Sequence, residues 1–441
     1  MAKHPTSDTL AKAVALLSPS PRKAQTFATS DVFVGLPRGH DAPANAAEGR
    51  ESNPELNLMT LAPAARPGEV VEPFRFTGEA GEYFRIWIVN TFLVIVTIGL
   101  WSPWAKIRKR RFFLRHTWVA GANFEYHAEP WPILHGRLIA GAAFVAYWFT
   151  GEVNPRYAPW IALIVAMLAP WLVVSSLRFN LSNTSYRNLR FRFAGGVSDG
   201  LRALWPLPIV ALLTLAFPPV FDPTDITKFD WKMLLPTLLL SALYPYLHGA
   251  FRLLLPNHSR FGSAPIACTT RVRTFYSIYL RGLLVGIGLM LLAALLSALI
   301  FGAIFSAWAG KLTAKAKWLP VLLGLVAALP SAFAALLWFA FTQTRVINAT
   351  FNLTTVSSNV RVFCQIRTWP MAKLYFGNTL AVLLSFGLAI PWAAVRTAKQ
   401  RVETTALAIG GDIDDIIAGA VSPSSATADA ATEFFSFDVA L

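Results

Sequence analysis

The chain has 441 residues, of which 55% are hydrophobic and only 14% are charged. Soluble domains are about 45–50% apolar and about 25% charged, so this composition excludes an ordinary soluble protein and predicts a polytopic membrane protein. Two cysteines are too few for a disulfide-stapled scaffold or a cysteine-based zinc site.

The net charge of +15 comes from Lys and Arg residues that cluster beside apolar segments. In membrane proteins such clusters report orientation and contact anionic lipid headgroups. No segment reads as a soluble basic domain, so we predict the bilayer and its anionic headgroups as the partner, and no nucleic acid.

Eight apolar segments approach the ~20 residues that a helix needs to cross a bilayer. They are 86–104, 133–150, 157–177, 203–221, 232–248, 279–308, 318–342 and 374–395. We assign residues 73–402 to this membrane domain. Residues 1–72 are predicted to form a disordered tail without a cleaved signal peptide, and residues 403–441 an acidic tail.

Short stretches between these segments alternate apolar and polar residues, with aromatic and β-branched side chains, as strands do. They are Phe74–Phe76, Asn123–Tyr126, Arg190–Phe193, the region 350–363 and, more weakly, 260–270. Either they pair into a small sheet on one membrane face or they only punctuate the loops. The predicted fold is an all-α polytopic membrane protein of six to eight segments, with a small sheet where the loop strands pair.

An internal repeat with an offset of 288 residues is the most specific pattern in the chain. It pairs Asn90 with Asn378, Gly99 with Gly387, Pro103 with Pro391, Trp104 with Trp392, and Arg108 with Arg396. A fainter third copy is Leu243–Tyr246, which contains Pro245 and Tyr246. Internal repeats are common in transporter folds.

The repeated residues are also our candidate site, because Gly followed by Pro interrupts the helical hydrogen bonds close to the membrane surface. One interpretation is a tilted helix with a Trp and basic stop at the interface. The other is a broken segment that lines a cavity, where irregular backbone and a buried Asn are tolerated.

The long basic loops predict which face of the membrane is cytoplasmic. Placing 178–202, 249–278 and 343–373 inside turns segments two to seven into three hairpins. Segments one and eight then enter and leave on the same face, so both termini lie in the cytoplasm. The alternative is eight full spans.

Catalytic motifs were not found, so we predict neither an enzyme nor a cofactor. The alternating Glu125, His127 and Glu129 are weak candidates for a divalent metal site. Such a run is more typical of a solvated strand face.

Several blocks resemble the YjgN family of bacterial inner-membrane proteins, also grouped as DUF898. They are Phe74–Gly78, Glu82–Phe84, Thr97–Trp104, Gly121–Phe124, Tyr186–Phe193, Tyr244–Tyr246, Gly387–Arg396 and three C-terminal pieces, 404–407, 411–414 and 434–438. The chain departs from the family around 203–248, where two apolar segments flank an acidic loop. The resemblance implies a bacterial inner-membrane location and supplies no activity.

Two functions follow from these patterns. The repeated broken segments favour a transporter or channel-like protein for a small solute or lipid, although the spans contain almost no acidic residue for an ion relay. The alternative is a membrane scaffold or envelope-stress component that binds partners or anionic lipid through its cytoplasmic loops. The sequence leaves the solute and the oligomeric state open.

Overall fold

The computed structural model describes residues 66–153, 158–216, 234–308, 319–357 and 359–411. Within these ranges the helices are α1 (Ala80–Val96), α2 (Ser102–Arg115), α3 (Pro130–Val153), α4 (Ala158–Ser182), α5 (Val197–Leu204), α6 (Pro206–Ala216), α7 (Leu235–Asn257), α8 (Val272–Trp308), α9 (Leu319–Phe351), α10 (Thr368–Leu384) and α11 (Ile390–Glu403).

The strands are short and lie between the helices. They are β1 (Glu69–Pro73), β2 (Arg75–Phe76), β3 (Thr117–Val119), β4 (Ala122–Tyr126), β5 (Thr184–Tyr186), β6 (Leu189–Phe193), β7 (Ser259–Phe261), β8 (Ala264–Cys268), β9 (Thr354–Val356), β10 (Val360–Cys364) and β11 (Thr405–Gly410). The prediction that the loop strands pair into a sheet is therefore confirmed.

The sheet closes on itself. Its strand order is β1-β11-β10-β9-β8-β7-β6-β5-β4-β3-β2, and the paired strands are antiparallel. The two ends of this order, β1 and β2, are separated in the chain only by Phe74. Consecutive Cα atoms lie about 3.8 Å apart, so one intervening residue can join two edges only where they meet. We call this arrangement the closed sheet.

Each of four β-hairpins consists of a three-residue strand, a tight turn and a five-residue strand. In the first two turns both central residues have positive φ: Ala120 and Gly121 at 44° and 79°, Arg187 and Asn188 at 48° and 65°. This is the turn geometry that matches the twist of paired strands. All the tight turns therefore lie at one rim of the closed sheet, and all the helices join the other rim.

Five matching backbone hydrogen bonds tie the helix rim together. In each, the residue after a strand that leads into a helix donates its N–H to the carbonyl of the residue just before the strand that follows the helices, across 2.7–3.0 Å. The pairs are Thr77 to His116, His127 to Asn183, Ala194 to His258, Thr269 to Leu353, and Gln365 to Thr404. The bond from Thr77, which follows β2, belongs to the same set, so β2 takes part in the closed sheet in the same way as the later strands.

A hydroxyl residue begins the strand at each of these five junctions and hydrogen bonds to the last turn of the preceding helix. The donors and acceptors are Thr117 to Phe113 O, Thr184 to Asn180 O, Ser259 to Leu255 O, Thr354 to Thr350 O, and Thr405 to Arg401 O. These bonds satisfy carbonyl groups that a helix end leaves without intrahelical partners.

Apolar side chains fill the closed sheet. Val119, Tyr186 and Phe261 are buried there, with Phe124 and Phe191 partly buried around them. The Tyr186 hydroxyl donates to Val119 O across 2.8 Å, which satisfies the one polar atom of this group of side chains.

At the helix rim, strands β2, β4, β6, β8 and β10 each end in a buried residue. These residues are Phe76, Tyr126, Phe193, Cys268 and Cys364. The two cysteines thus occupy positions that aromatic residues occupy elsewhere in the ring. Both are free thiols, and burial raises the pKa of the Cys364 thiol. They pack as small apolar side chains.

Five helical stretches among the described residues are long and apolar enough to cross a membrane: Pro130–Thr150, Leu163–Ser182, Leu235–Asn257, Val272–Ile304 and Val326–Phe351. Six to eight segments were predicted. Segment 203–221 is divided between α5, α6 and residues outside the described ranges, and segments 86–104 and 374–395 each contain a helix end and a turn. Outward-facing side chains such as Leu291 (68% exposed) are apolar, as lipid contact requires.

The closed sheet includes residues that the sequence analysis assigned to the tails. β1 begins at Glu69, before residue 73, and β11 runs to Gly410, beyond residue 402. Residues 1–65 and 412–441, which contain most of both predicted tails, lie outside the described residues.

An ion pair joins β1 to β10 across β11. Arg361 donates from Nε to Glu69 Oε1 (2.9 Å) and from a second nitrogen to Oε2, which also accepts from the Arg66 N–H (2.9 Å). The Arg361 guanidinium and the Arg66 N–H hold the pKa of the Glu69 carboxyl below its ordinary value of 4.5. The contribution of this pair to stability is present above that ordinary pKa and is lost as the pH falls through the lower, folded-state pKa.

We therefore expect Glu69→Gln to lower the melting temperature of the detergent-solubilised protein at neutral pH. The difference from wild type should shrink as the pH is lowered below 4.5 and through the folded-state pKa, because the wild-type carboxyl is then also protonated. Glu72→Gln on the same strand is the control and should leave the melting temperature unchanged. An effect of Glu69→Gln that is independent of pH would contradict the assigned role.

Candidate functional site

Two helical hairpins carry the repeated motif. The first is formed by α1 and α2, joined by residues 97–101. Asn90, two turns before the end of α1, accepts hydrogen bonds at Oδ1 from the Trp101 indole (3.2 Å) and from Arg108 (3.3 Å), which lies two turns into α2. Its Nδ2 donates to Ile86 O (2.8 Å). These contacts require α2 to run back along α1, so residues 86–104 do not form one continuous helix.

The second hairpin is formed by α10 and α11, joined by residues 385–389, and its turn has the same hydrogen bonds. Gly99 N donates to Val94 O (2.7 Å), and Gly387 N donates to Val382 O (2.8 Å). The hydroxyls of Thr97 and Ser385 accept from the N–H four residues later, across 2.9 and 2.8 Å.

Glycine is required in both turns, because Gly99 and Gly387 have φ of +89° and +92°. The residues before them, Ile98 and Phe386, also have positive φ and are 94% and 97% exposed. Each hairpin therefore ends in an apolar side chain at the point farthest from the closed sheet.

The predicted prolines begin the returning helices. Pro103 and Pro391 lie in the first turn of α2 and α11, where a missing N–H costs no hydrogen bond. Trp104 stacks on Trp101, with ring centroids 5.0 Å apart, whereas Trp392 lies under the Arg396 guanidinium, 5.0 Å from its ring centroid.

The third copy of the motif differs from the other two. Pro245 lies inside α7, which is continuous from Leu235 to Asn257, so the chain does not reverse there. The Tyr246 hydroxyl donates to Arg202 O and accepts from the Trp205 indole, both across 3.0 Å. Pro245 and Tyr246 therefore belong to helix packing, away from the two hairpins.

The two asparagines differ in their hydrogen bonds. Asn378 Nδ2 donates to Ala393 O (3.2 Å) and Thr397 Oγ1 (2.9 Å), but its buried Oδ1 accepts no hydrogen bond from any described residue. The position that matches Trp101 is Ala389, which has no donor, and Arg396 lies against Trp392 instead. A buried amide oxygen without a hydrogen bond is costly in an apolar environment, and this sets the second hairpin apart from the first.

A groove of about 630 Å³ lies beside this asparagine, between α10, α11, α2 and α9. We call it the hairpin groove. Toward the closed sheet it is lined by Arg401 and Tyr375, which are hydrogen bonded across 2.8 Å. Lys109 and Thr397 line its middle, and the end near the hairpin tip is apolar, with Leu336, Val382 and Leu383.

Sequence reasoning found Asn378 but not Lys109, Tyr375, Thr397 or Arg401. These residues come from three helices and meet only because α2 and α11 turn back toward the closed sheet. The basic character of 106–111 was visible in the sequence, but its position facing α10 and α11 was not.

The suggested metal site is not formed. Among the described residues no three His, Cys, Asp or Glu side chains are grouped to hold a metal ion. His127 Nε2 lies 2.7 Å from Ser185 Oγ and 3.6 Å from Glu125, while Glu129 stands outside this contact. This polar contact fits the solvated strand face considered above.

The difference between the asparagines predicts different costs of mutation. Asn90→Leu removes three hydrogen bonds and leaves two donors without an acceptor, so we expect a loss of about 2–3 kcal/mol in the free energy of unfolding. Asn378→Leu also removes the unpaired oxygen, and its cost should be about 1 kcal/mol or less. Unfolding in SDS measures both values, and equal costs would contradict the assignment of an unpaired oxygen.

Comparison with known proteins gives a consistent result. Residues 71–434 match the family described as "Bacterial protein of unknown function (DUF898)". The chain is similar to the inner membrane protein YjgN of Salmonella typhimurium, with 25% identity over 145 residues, and of Escherichia coli K12, with 26% identity over 126 residues. These alignments cover 32% and 27% of this chain, and about a third of each relative (36% and 30%).

No solved structure matches the chain. The predicted location in the bacterial inner membrane is confirmed by these relatives together with the five membrane-capable helices. Because the family match covers most of the sequence, the chain belongs to the DUF898 family, which includes the YjgN inner-membrane proteins.

Proposed function

We propose that this protein binds an anionic phospholipid in the hairpin groove and moves or presents it within the inner membrane. The observation that carries the proposal is the polarity of the groove. Arg401 lies toward the closed sheet and Lys109 in the middle, whereas the hairpin tip end is apolar, with Val382 and Leu383, and none of the described lining residues is acidic. A phospholipid is arranged in the same way, with a charged headgroup at one end and apolar acyl chains at the other.

The cations in the groove suit a phosphate. Lys109 has no hydrogen bond or ion pair within the described residues, and Arg401 uses one nitrogen on Tyr375. A guanidinium offers five N–H donors and an ammonium three, so both retain donors for a ligand. Partly exposed cations facing low-dielectric surroundings attract an anion more strongly than they do in water.

The proposal retains the transport hypothesis and narrows the solute to a lipid. The apolar end of the groove would suit an acyl chain, whereas a small polar solute would leave Val382 and Leu383 against water. The residue Asn378 offers a polar contact part of the way along the groove.

We also propose that the chain is built from five copies of one unit, with both ends of the chain on the cytoplasmic side. In four copies a set of helices is followed by a β-hairpin, and in the fifth α10 and α11 are followed by β11, which pairs with β1. The five matching junction bonds support the repeat. Because all helices join one rim, every unit must return to the face on which it began. The excess of Lys and Arg in the loops supports the cytoplasmic assignment.

Lipid retention tests the binding proposal. The protein purified in mild detergent should carry anionic phospholipid that native mass spectrometry detects. Lys109→Gln with Arg401→Gln should reduce the retained lipid about tenfold, because two charge-assisted contacts are lost.

The matched control is Arg271→Gln with Arg273→Gln, which removes two exposed positive charges elsewhere and should leave lipid retention unchanged. Equal retention by wild type and the groove variant would overturn the proposal. Transport is tested separately with fluorescent lipid in reconstituted vesicles, where a rate no higher than in protein-free vesicles would exclude lipid movement.

Cysteine labelling tests the topology. The native thiols are buried, so the unmodified chain gives the background. We expect Asn188→Cys, in a tight turn, to react with an impermeant maleimide in inverted vesicles and not in intact spheroplasts.

Ile98→Cys and Phe386→Cys, at the hairpin tips, should resist the reagent from both sides because they lie in hydrocarbon. Reaction of either tip residue from the periplasmic side would support full spans instead of re-entrant hairpins.

A further inference from the structure

A second groove, of about 450 Å³, follows the first hairpin and shares no lining residue with the hairpin groove. We call it the arginine groove. Its lining includes one carboxylate, Glu82, and four arginines: Arg85, Arg108, Arg111 and Arg115. Four arginines and one glutamate in one groove give a strong excess of positive charge.

Two of the arginines form hydrogen bonds to other parts of the fold. Arg111 donates to Tyr126 O (3.2 Å) and Ala128 O (3.4 Å), which fixes α2 to the end of β4. Arg108 donates to Asn90 Oδ1 and lies 5.6 Å from the Trp101 ring centroid. Their positions are therefore set by the fold.

The other two arginines have no such role. Neither the Arg85 nor the Arg115 guanidinium forms a hydrogen bond or ion pair within the described residues, and both are exposed. Arg85 lies in the second turn of α1 and Arg115 is the last residue of α2, so both are close to the helix rim of the closed sheet.

The acidic residue in the groove does not neutralise these arginines. Within the described residues Glu82 pairs with His116, across 3.4 Å to Nε2, while His116 Nδ1 contacts Phe112 O across 2.8 Å. Like charges held close together destabilise a fold unless a counter-ion lies between them.

We infer that the arginine groove binds the headgroup of a phospholipid that carries at least two negative charges. Four guanidinium groups match such a headgroup better than a singly charged one, and arginine binds phosphate through paired N–H donors. The apolar side chains of Ile86 and Val89 line the same groove, and Phe92 and Ile95 farther along α1 are 64% and 71% exposed. These side chains favour a lipid over a free phosphate.

This inference stands independently of the proposed function, because it concerns a different groove. The test titrates the detergent-solubilised full chain with short-chain phosphatidic acid, monitored by native mass spectrometry. Arg85→Gln with Arg115→Gln should weaken binding about tenfold, and replacement of both by Lys, which keeps the charge but not the paired donors, should restore only part of it.

Glu82→Gln gives the sharper result, because it removes the one carboxylate of the groove and should strengthen binding about threefold. A purely structural role of Glu82 predicts the opposite. The Lys109 and Arg401 variant should bind at this site as wild type does, which separates the two grooves, and Arg271→Gln with Arg273→Gln is the charge-matched control.

The inference is overturned if the Arg85 and Arg115 variant binds phosphatidic acid within about twofold of wild type, or if Glu82→Gln weakens binding. Inorganic pyrophosphate distinguishes the source of the phosphate. If it binds as tightly as the lipid, the site recognises a soluble phosphate and the lipid assignment is wrong.

Discussion

The arrangement of this protein depends on the five backbone hydrogen bonds at the helix rim. Each joins the residue after a strand that leads into a helix to the residue before the strand that follows the helices. They fix the register of the closed sheet, and a register shift of one residue would turn every inward-facing side chain outward. Because the same bonds fix where each helix leaves the sheet, they also set the positions of α2, α9, α10 and α11 around the hairpin groove. The candidate site is thus a consequence of sheet registry, and no single helix carries it.

Much of the local structure was predictable from the sequence. Alternation identified Phe74–Phe76 and Arg190–Phe193 as strands, and the Gly and Pro positions located both hairpin turns. The closure of the sheet was not predictable, because β1 and β11 come from opposite ends of the chain and Thr405–Gly410 has no alternating pattern. The direction of the hairpins was also hidden, since a β-branched residue such as Ile98 rarely adopts positive φ and gives no turn signal. The two grooves could not be foreseen, because their charged residues come together only when the sheet has closed and both helical hairpins have turned back.

The matching hairpins show how one backbone arrangement can support two local chemistries. In the first, Trp101 and Arg108 both donate hydrogen bonds to the Asn90 oxygen, so this buried acceptor is satisfied. In the second, Ala389 takes the position of Trp101, and no described residue donates a hydrogen bond to the oxygen of Asn378. Changing one side chain at the turn therefore alters the polarity of a site two helical turns away while the turn itself keeps its hydrogen bonds.

The pairing of Glu69 with Gly410 has a consequence for biogenesis. During synthesis β1 leaves the ribosome first, but its partner β11 is translated only after all the helices have been made. One edge of β1 therefore stays unpaired while the helices are made, and an unpaired strand edge can pair with other chains. The closed sheet can be completed only after β11 has been translated, so assembly of the whole sheet depends on that strand.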